Sequence, residues 1–150
     1  MQHMKTQVYL VRHIESEGNI CRRNDAQFDC ISTRKGLMQA EVLADRFDGI
    51  HVDALYSSDI RRSIDTALPI SRRKNLPIRL RRLLREYTIG CWEGTSIGDT
   101  ARAYPEMWDI WCNEPRNHRI PGADPFEIVA DRGHLHLHLL AGRNLGWPPG

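Results

Sequence analysis

Two basic residues at the end of an apolar run, Arg12 and His13, are the residues of this sequence best suited to chemistry. The run before them, residues 8–11, is rich in β-branched and aromatic side chains and predicts a buried β-strand. Both side chains then emerge at the carboxyl end of that strand, the edge at which open α/β sheets bind ligands. A histidine at this place is either a nucleophile or a hydrogen-bonded structural residue, and the dipeptide alone leaves both open.

Two later stretches of the sequence place further charged residues, Arg62 and Glu86, next to a predicted helix and a predicted loop. Residues 55–67 indicate a strand, a Ser/Asp cap and a helix with Arg62 in its first turn. Residues 84–94 supply the carboxylate of Glu86 next to a loop punctuated by glycines. Taken singly, Arg62 is typical of a solvated helix surface and Glu86 of an exposed loop. The three stretches in this order predict the function more specifically than any one of them does alone.

The three stretches together resemble the histidine phosphatase superfamily, the phosphoglycerate mutase-like proteins. That family shows Leu-Val-Arg-His-Gly-Glu-(Ser/Thr)-x-x-Asn, then Tyr-Ser-Ser-Asp-Leu-x-Arg-Ala-x-x-Thr-Ala, then Leu-Arg-Glu-x-x-x-Gly-x-Trp-Glu-Gly, which correspond here to residues 10–19, 56–67 and 84–94. The resemblance covers about residues 5–132. It implies a single domain over residues 1–150 with a three-layer α/β/α, phosphoglycerate mutase-like fold, incomplete at the C-terminus, and a divergent tail at 133–150.

The resemblance also implies a mechanism of phosphoryl transfer. His13, as a neutral imidazole, would attack phosphorus in line and form a phosphohistidine that water later hydrolyses. Arg12 and Arg62 would hold the phosphoryl oxygens, because a guanidinium group matches their geometry with two hydrogen bonds. Glu86 would protonate the leaving oxygen and then activate the water.

Two neutral residues complete the implied site. Ser16 and Asn19 would donate hydrogen bonds to the same phosphate, although each is also typical of a loop cap. The implied partner is a small phosphorylated substrate. The implied mechanism needs no cofactor and no metal.

The sequence departs from the family at a second histidine and at Ile14. The family carries that histidine in a Val-Val-Ser-His-Gly strand end, after a Pro-Gly-Gly-Glu-Ser segment. Here residues 121–125 read Pro-Gly-Ala-Asp-Pro, and no Ser-His-Gly occurs before Gly150. We therefore expect impaired turnover. Ile14 stands where the family has glycine. A β-branched residue tolerates a positive φ poorly, so if the loop needs a positive φ at this position, the side chain of His13 would be wrongly oriented.

The tail after Arg132 shows no helical pattern, and histidine alternates with leucine over residues 134–140. In the family's fold the strand with the second histidine lies between the strands that end in Arg-His and Tyr-Ser-Ser. The period of two predicts that 134–140 is a strand able to substitute there. On a strand, His134, His136 and His138 would share one face, as in some zinc or nickel sites. An accidental repeat is the alternative, and we predict no metal.

Composition excludes several other classes of protein. The chain is 41% hydrophobic and 27% charged with a net charge of +2, which is ordinary for a soluble globular domain. Residues 61–85 hold nine basic residues and one acidic residue, but no aromatic residue lies between Tyr56 and Tyr87 to stack bases, so we predict no nucleic-acid partner. The sequence has no signal peptide, no apolar run of membrane-spanning length and no Cys-x-x-Cys pair. We therefore expect a cytoplasmic protein without a membrane partner; its oligomeric state stays open.

Hydrophobic periodicity places the elements around these residues. Strands are predicted near 7–13, 53–57 and 77–82, and helices near 36–48 and 60–73. The aromatic residues of 97–113 predict helices of a lid, with the rings forming its core rather than a ligand cage.

The function predicted on these grounds is hydrolysis of phosphomonoesters of small metabolites through a phosphohistidine. The compact spacing within residues 84–94 favours a phosphatase over a phosphoglycerate mutase. Two alternatives stay open: a phosphoglycerate mutase, and a non-catalytic remnant that binds phosphate without turning it over. The absent second histidine is the feature that separates the active enzyme from the remnant.

Overall fold

The structure is a computed structural model that describes residues 6–141. Its α-helices are α1 (Glu17–Ile20), α2 (Arg34–Arg46), α3 (Arg61–Lys74), α4 (Ile97–Ala103), α5 (Pro105–Asn113) and α6 (Phe126–Ala141). Its β-strands are β1 (Leu55–Ser57) and β2 (Ile78–Leu80), and three short 3₁₀ turns span Arg82–Leu84, Gly90–Trp92 and Pro115–Asn117. The part of the predicted divergent tail from 142 to 150 lies outside the described residues.

Two parallel strands form the sheet of the described residues. β1 and β2 pair with Tyr56 opposite Arg79, and α3 makes the crossover between them. The strands predicted near 53–57 and 77–82 are therefore confirmed, with shorter bounds. A parallel pair needs such a crossover, which places the carboxyl ends of both strands at one edge.

The two long helices predicted from periodicity are confirmed with shifts of one or two residues. Thr33 caps α2 by accepting a hydrogen bond from the N–H of Gly36 at 2.9 Å. α3 ends at Lys74, and the capping residue Asn75 takes the left-handed conformation with φ of 50°. Both helices pack on the same small core, in which Ala44, Phe47 and Ile70 are buried.

The strand predicted near 7–13 does not form as predicted. These residues are extended, but they pair with no strand among the described residues. Val8, Tyr9, Leu10 and Val11 are all exposed. A strand that is apolar on both faces needs a partner on each edge to be buried, and the described chain provides none.

The replacement strand predicted at 134–140 is wrong, because these residues lie in α6. The expectation that no helix follows Arg132 is wrong for the same reason. A helix satisfies its backbone hydrogen bonds internally, whereas a strand at this place needs neighbours on both sides. In a helix, side chains two residues apart point about 200° apart, so the shared histidine face is lost too. Among the residues whose side chains the structure describes, no group of three His, Cys, Asp or Glu is placed to hold a metal ion.

The aromatic residues of the predicted lid pack together as expected. Trp92 is 1% exposed, and its ring centroid lies 5.7 Å from that of Trp108 and 6.1 Å from those of Tyr104 and Trp111. α4 and α5 thus close over the 3₁₀ turn Gly90–Trp92 and form a second core. Between residues 6 and 141, no helix is both long and apolar enough to cross a bilayer.

Candidate active site

His13 lies where the extended N-terminal segment turns into a loop, and it is partly buried. Its Nδ1–H donates to the carbonyl oxygen of Ile14 at 2.7 Å, because a carbonyl can only accept. That hydrogen bond fixes the tautomer and leaves the lone pair on Nε2. Burial lowers the pKa of the His13 imidazole below 6.5, and the charges of Arg62 and Arg12 act in the same direction. The lowered pKa favours the neutral imidazole at pH 7, which is the form that a nucleophile needs.

Thr66 joins the loop after His13 to helix α3. The N–H of Ile14 donates to Thr66 Oγ1 at 3.0 Å, and the same hydroxyl donates to the carbonyl oxygen of Arg62 at 2.6 Å. Ile14 is buried and is not among the side-chain-bearing residues with a positive φ. The isoleucine at a position where the resembling family has glycine thus adds bulk without backbone strain. Sequence reasoning assigned no role to Thr66, although it stands in the second matched motif.

Arg62 is held at the start of α3 by the loop of residues 26–28. It is 4% exposed, and its Nη1 and Nη2 donate to the carbonyl oxygens of Phe28 and Ala26 at 3.2 and 2.7 Å. Its buried Nε–H has no hydrogen-bond partner between residues 6 and 141. A buried donor without a partner is costly, and an anion can supply the acceptor. Arg12, in contrast, is exposed to solvent.

Ser16 and Asn19 form a small cluster in and before α1. The N–H and the hydroxyl of Ser16 both donate to Asn19 Oδ1, at 2.9 and 3.1 Å. Ser16 is fully buried, whereas Asn19 is exposed. Because Oδ1 is engaged by Ser16, the Nδ2 group of Asn19 is the donor turned away from the loop. Ser16 therefore orients the side-chain amide of Asn19, and the predicted donation of either residue to a phosphate stays a prediction.

Glu86 stands on the neighbouring loop. It is exposed, and its Oε1 accepts from the N–H of Tyr87 at 3.3 Å. Its carbonyl oxygen accepts from Gln27 Nε2 at 3.1 Å, which connects it to the loop that holds the buried arginine. The described charges that shift the pKa of His13 do not include Glu86. Arg12 and Arg62 are thus near enough to His13 for their charges to lower its pKa, and Glu86 contacts the loop of residues 26–28 through its backbone carbonyl.

Glu93 ties the two loops together, a role that sequence reasoning missed. Its Oε1 accepts from the N–H groups of Gln27 and Ile89 at 3.1 and 3.3 Å, and its Oε2 accepts from the N–H of Phe28 at 3.3 Å. Three backbone donors on one carboxylate fix the loop of residues 26–28 against residues 86–93. The Trp-Glu-Gly motif contained this glutamate, but its partners are distant in sequence.

Asp25 is a further carboxylate of the site that sequence reasoning missed. Its Oδ2 lies 3.5 Å from Ser16 Oγ. A Cβ built on Gly18 would stand 1.8 Å from the same oxygen, so Asp25 fills the space that a side chain at position 18 would need. Its negative charge raises the pKa of His13, against the effect of the two arginines. No local pattern signals this contact, because it depends on the missing side chain of Gly18.

A pair of opposite charges fixes the segment that leads to Glu86. Arg85 Nε and Nη2 donate to Asp59 Oδ1 and Oδ2, both at 2.6 Å. The two side chains are about a quarter exposed, at 27% and 25%. Hydrogen bonding to Arg85 lowers the pKa of the Asp59 carboxyl. The carbonyl oxygen of Arg85 also accepts from Arg132 Nη2 at 2.7 Å, which anchors α6 to the same segment.

Comparison with known proteins gives a consistent set of similarities. Residues 8–146 match the sequence profile of the histidine phosphatase superfamily (branch 1). Phosphoserine phosphatase 1 of Hydrogenobacter thermophilus is 33% identical over 123 residues, which are 82% of this chain and 58% of that protein. The probable phosphoglycerate mutase GpmB of Salmonella choleraesuis is 34% identical over 132 residues, 87% of this chain and 61% of that protein. This chain therefore spans about 60% of the length of these relatives.

Solved structures share the α/β fold predicted from the sequence. YhfR of Bacillus stearothermophilus superposes with a TM-score of 0.85 at 27% identity, over 90% of this chain and 67% of that one. A mycobacterial glucosyl-3-phosphoglycerate phosphatase in complex with VO3 superposes with a TM-score of 0.80 at 26% identity, over 90% of this chain and 67% of that one. The fold class is thus confirmed, and a third of each of these structures has no counterpart here.

Proposed function

The chain belongs to the histidine phosphatase superfamily, and on that premise we propose that it transfers phosphoryl groups from small phosphomonoesters to water through His13. The observation that supports this most is the state of the imidazole. Its Nδ1–H is fixed on the carbonyl oxygen of Ile14, its pKa lies below 6.5, and Nε2 keeps its lone pair. These are the properties that in-line attack on phosphorus requires.

The reaction proceeds in two balanced steps. In the first, His13 Nε2 forms a bond to phosphorus, the ester P–O bond breaks, and Glu86 gives its proton to the leaving oxygen. In the second, water attacks phosphorus, Glu86 takes a proton from it, and the N–P bond breaks to release inorganic phosphate. Arg12 and Arg62 stabilise the charge on the phosphoryl oxygens in both steps. Asn19 Nδ2 adds a neutral donor.

The acceptor of the phosphoryl group distinguishes a phosphatase from a mutase. A relative named as a phosphoserine phosphatase and one named as a probable phosphoglycerate mutase are 33% and 34% identical to this chain. We assign water as the acceptor, because the residues from Glu86 to Gly94 form a compact turn with no inserted substrate segment. The substrates named for these relatives are those of longer proteins, and substrate identity for this chain is left to the assay.

Turnover is expected to be weak, because the second histidine of the family is absent. Loss of one preorganised donor to the phosphoryl group costs on the order of 10²- to 10³-fold in rate. A second candidate function, binding of phosphate without turnover, is favoured by one observation. The buried Nε–H of Arg62 has no acceptor among the described residues, and an oxygen of a bound phosphate would supply one.

Hydrolysis of p-nitrophenyl phosphate tests the proposal. We expect slow turnover that His13→Ala abolishes and that His51→Ala, a control at an exposed histidine, leaves unchanged. Equal rates for the chain and for His13→Ala would reject the enzyme. In that case, binding of inorganic phosphate that Arg62→Ala removes would establish the second candidate.

A further inference from the structure

A cavity of about 440 Å³ lies where the 3₁₀ turn Pro115–Asn117 and the loop after it meet the first turn of α6. The polar side chains of its lining are those of Arg116, His118, Arg119 and Glu127, and the rest of the lining is apolar. It shares no lining residue with a cavity of about 460 Å³ that His13 lines, and none of the residues proposed for phosphoryl transfer lines it. We call it the arginine cavity.

The histidine of the arginine cavity has a ring nitrogen without a partner. His118 is 7% exposed, and its Nδ1 is closed off from solvent and makes no hydrogen bond to any described residue. The ring of Trp111 packs at 69° to the imidazole with the centroids 5.3 Å apart, which holds the imidazole plane in place. A buried polar nitrogen left without a partner is costly, so a ligand atom that hydrogen-bonds to Nδ1 is favoured.

The two arginines are held in place without being neutralised. The guanidinium carbon of Arg116 lies 5.4 Å from the ring centroid of Phe126. Nη1 of Arg119 donates to the carbonyl oxygens of Asn117 and His118 at 3.2 and 2.8 Å. No carboxylate of the described residues forms an ion pair with either arginine. Each guanidinium group therefore keeps its charge and further N–H donors for a ligand.

The charges of the arginine cavity favour an anion. Two guanidinium groups and one carboxylate, that of Glu127, line it, so its fixed charge is positive. Guanidinium groups hydrogen-bond to phosphate oxygens through paired N–H donors, and the Nδ1–H of His118 is a third donor. Three donor groups match the three terminal oxygens of a phosphate group better than the two oxygens of a carboxylate.

We propose that the arginine cavity is a binding site for a phosphate group, which accepts hydrogen bonds from Arg116, Arg119 and Nδ1–H of His118. The phosphate group belongs either to inorganic phosphate or to a phosphomonoester. The site is separate from the one proposed at His13, so the inference does not depend on the proposed activity.

The nuclear magnetic resonance signals of the histidine rings test the proposal in the full 150-residue chain. The Cε1–H signal of His118 is identified by its loss in His118→Gln. Sodium phosphate is then titrated in while sodium chloride is reduced, so that pH and ionic strength stay constant. We expect a saturable shift of the His118 signal with a Kd in the millimolar range or below. Sodium acetate is expected to give no saturable shift, and an equal shift with acetate would contradict the choice of a phosphate group.

A second titration distinguishes the two sources of the phosphate group. Phenyl phosphate is added to His13→Ala, which lacks the proposed nucleophile and so leaves the ester intact. A saturable shift of the His118 signal assigns the cavity to phosphomonoesters as well as to inorganic phosphate. A shift with inorganic phosphate alone assigns it to the free ion. Either result supports the proposal.

Variants of exposed arginines provide matched controls. Arg116→Ala and Arg119→Ala are each expected to weaken the binding of phosphate at the His118 signal about tenfold, because each removes charge-assisted hydrogen bonds. Arg46→Ala, on the exposed surface of α2, and Arg12→Ala, in the site proposed for catalysis, should leave the His118 response unchanged. The proposal is overturned if phosphate does not shift the His118 signal, if neither Arg116→Ala nor Arg119→Ala weakens the response, or if Arg12→Ala abolishes it.

Discussion

At the scale of single residues, the proposed chemistry rests on how the fold holds the imidazole of His13. The residue types that the motifs supplied, a histidine and two arginines, lie in one region, and their identity was readable from the sequence. Their orientation was not readable, because it depends on Thr66 and on the carbonyl oxygens of residues 26–28. Asp25 was missed for a related reason. Its position follows from the absence of a side chain at Gly18, a relation between two residues that no local pattern contains.

The pH dependence of turnover follows from the pKa of His13. Burial lowers this pKa below 6.5, so the nucleophile is neutral above it and becomes protonated only as the pH falls through it. We expect the acidic limb of the kcat/KM profile for p-nitrophenyl phosphate to have its midpoint below pH 6.5. A decline that is centred above pH 6.5 would contradict the neutral, buried imidazole.

The variant Asp25→Asn is expected to shift the pKa of His13 in a defined direction. The negative charge of Asp25 raises the pKa of His13, so its removal is expected to move the acidic limb of the kcat/KM profile to lower pH. Asp53→Asn, at an exposed aspartate that pairs with His51, is the control and should leave the limb in place.

At the scale of elements, local patterns were sufficient where an element makes its own hydrogen bonds or has its partner nearby. α2 and α3 follow from amphipathic periodicity and a capping threonine, and the pairing of β1 with β2 follows from the crossover by α3. The predictions failed at residues 7–13 and 134–140, where a strand needs distant partners. Residues 134–140 form part of α6 instead, because a helix needs no such partner.

The close approach of α2 to the loop after His13 gives a prediction for Gly36. A Cβ at this position would lie 2.2 Å from the carbonyl oxygen of Glu15, a backbone atom that cannot move without shifting the loop. We expect Gly36→Ala to lower the free energy of unfolding by about 1–3 kcal/mol in urea denaturation. Gly49→Ala is the matched control, since a Cβ at position 49 would meet nothing within 4 Å, and it should be neutral or slightly stabilising. Equal effects of the two substitutions would refute the steric argument.

The Asp59–Arg85 pair predicts a pH-dependent contribution to stability. Pairing lowers the pKa of Asp59 below 3.8, so the unfolded chain binds this proton first as the pH falls. The stabilisation is therefore complete above pH 3.8 and is lost as the pH falls through the lowered pKa. We expect Asp59→Asn to cost about 1–2 kcal/mol at pH 7, because two charge-assisted hydrogen bonds are weakened at a site about a quarter exposed.

Urea denaturation at two pH values measures this contribution. The difference in unfolding free energy between the chain and Asp59→Asn should be largest at pH 7 and should shrink below pH 3.8. Asp99→Asn, in an exposed pair with Arg102, is the comparison and should change stability little at either pH. A difference for Asp59→Asn that grows on acidification would contradict the assigned pairing.

At the scale of the whole molecule, the chain belongs to the histidine phosphatase superfamily and spans about 60% of the length of the relatives it matches. Family membership and fold class were readable from three motifs in a fixed order, and residues 8–146 match the family. The extent of the sheet was predicted wrongly, because strands were expected at 7–13 and 134–140 and the described residues form a sheet of β1 and β2 alone.

The most direct test of the account is to trap the covalent intermediate on His13. The chain is mixed with p-nitrophenyl phosphate, quenched in alkali, digested, and analysed by mass spectrometry for a phosphorylated peptide whose phosphate is lost in acid. We expect phosphate on the peptide that contains His13, none in His13→Ala, and an unchanged amount in the exposed control His51→Ala. Release of p-nitrophenol that persists in His13→Ala, with no phosphate on that peptide in the unsubstituted chain, would contradict the account.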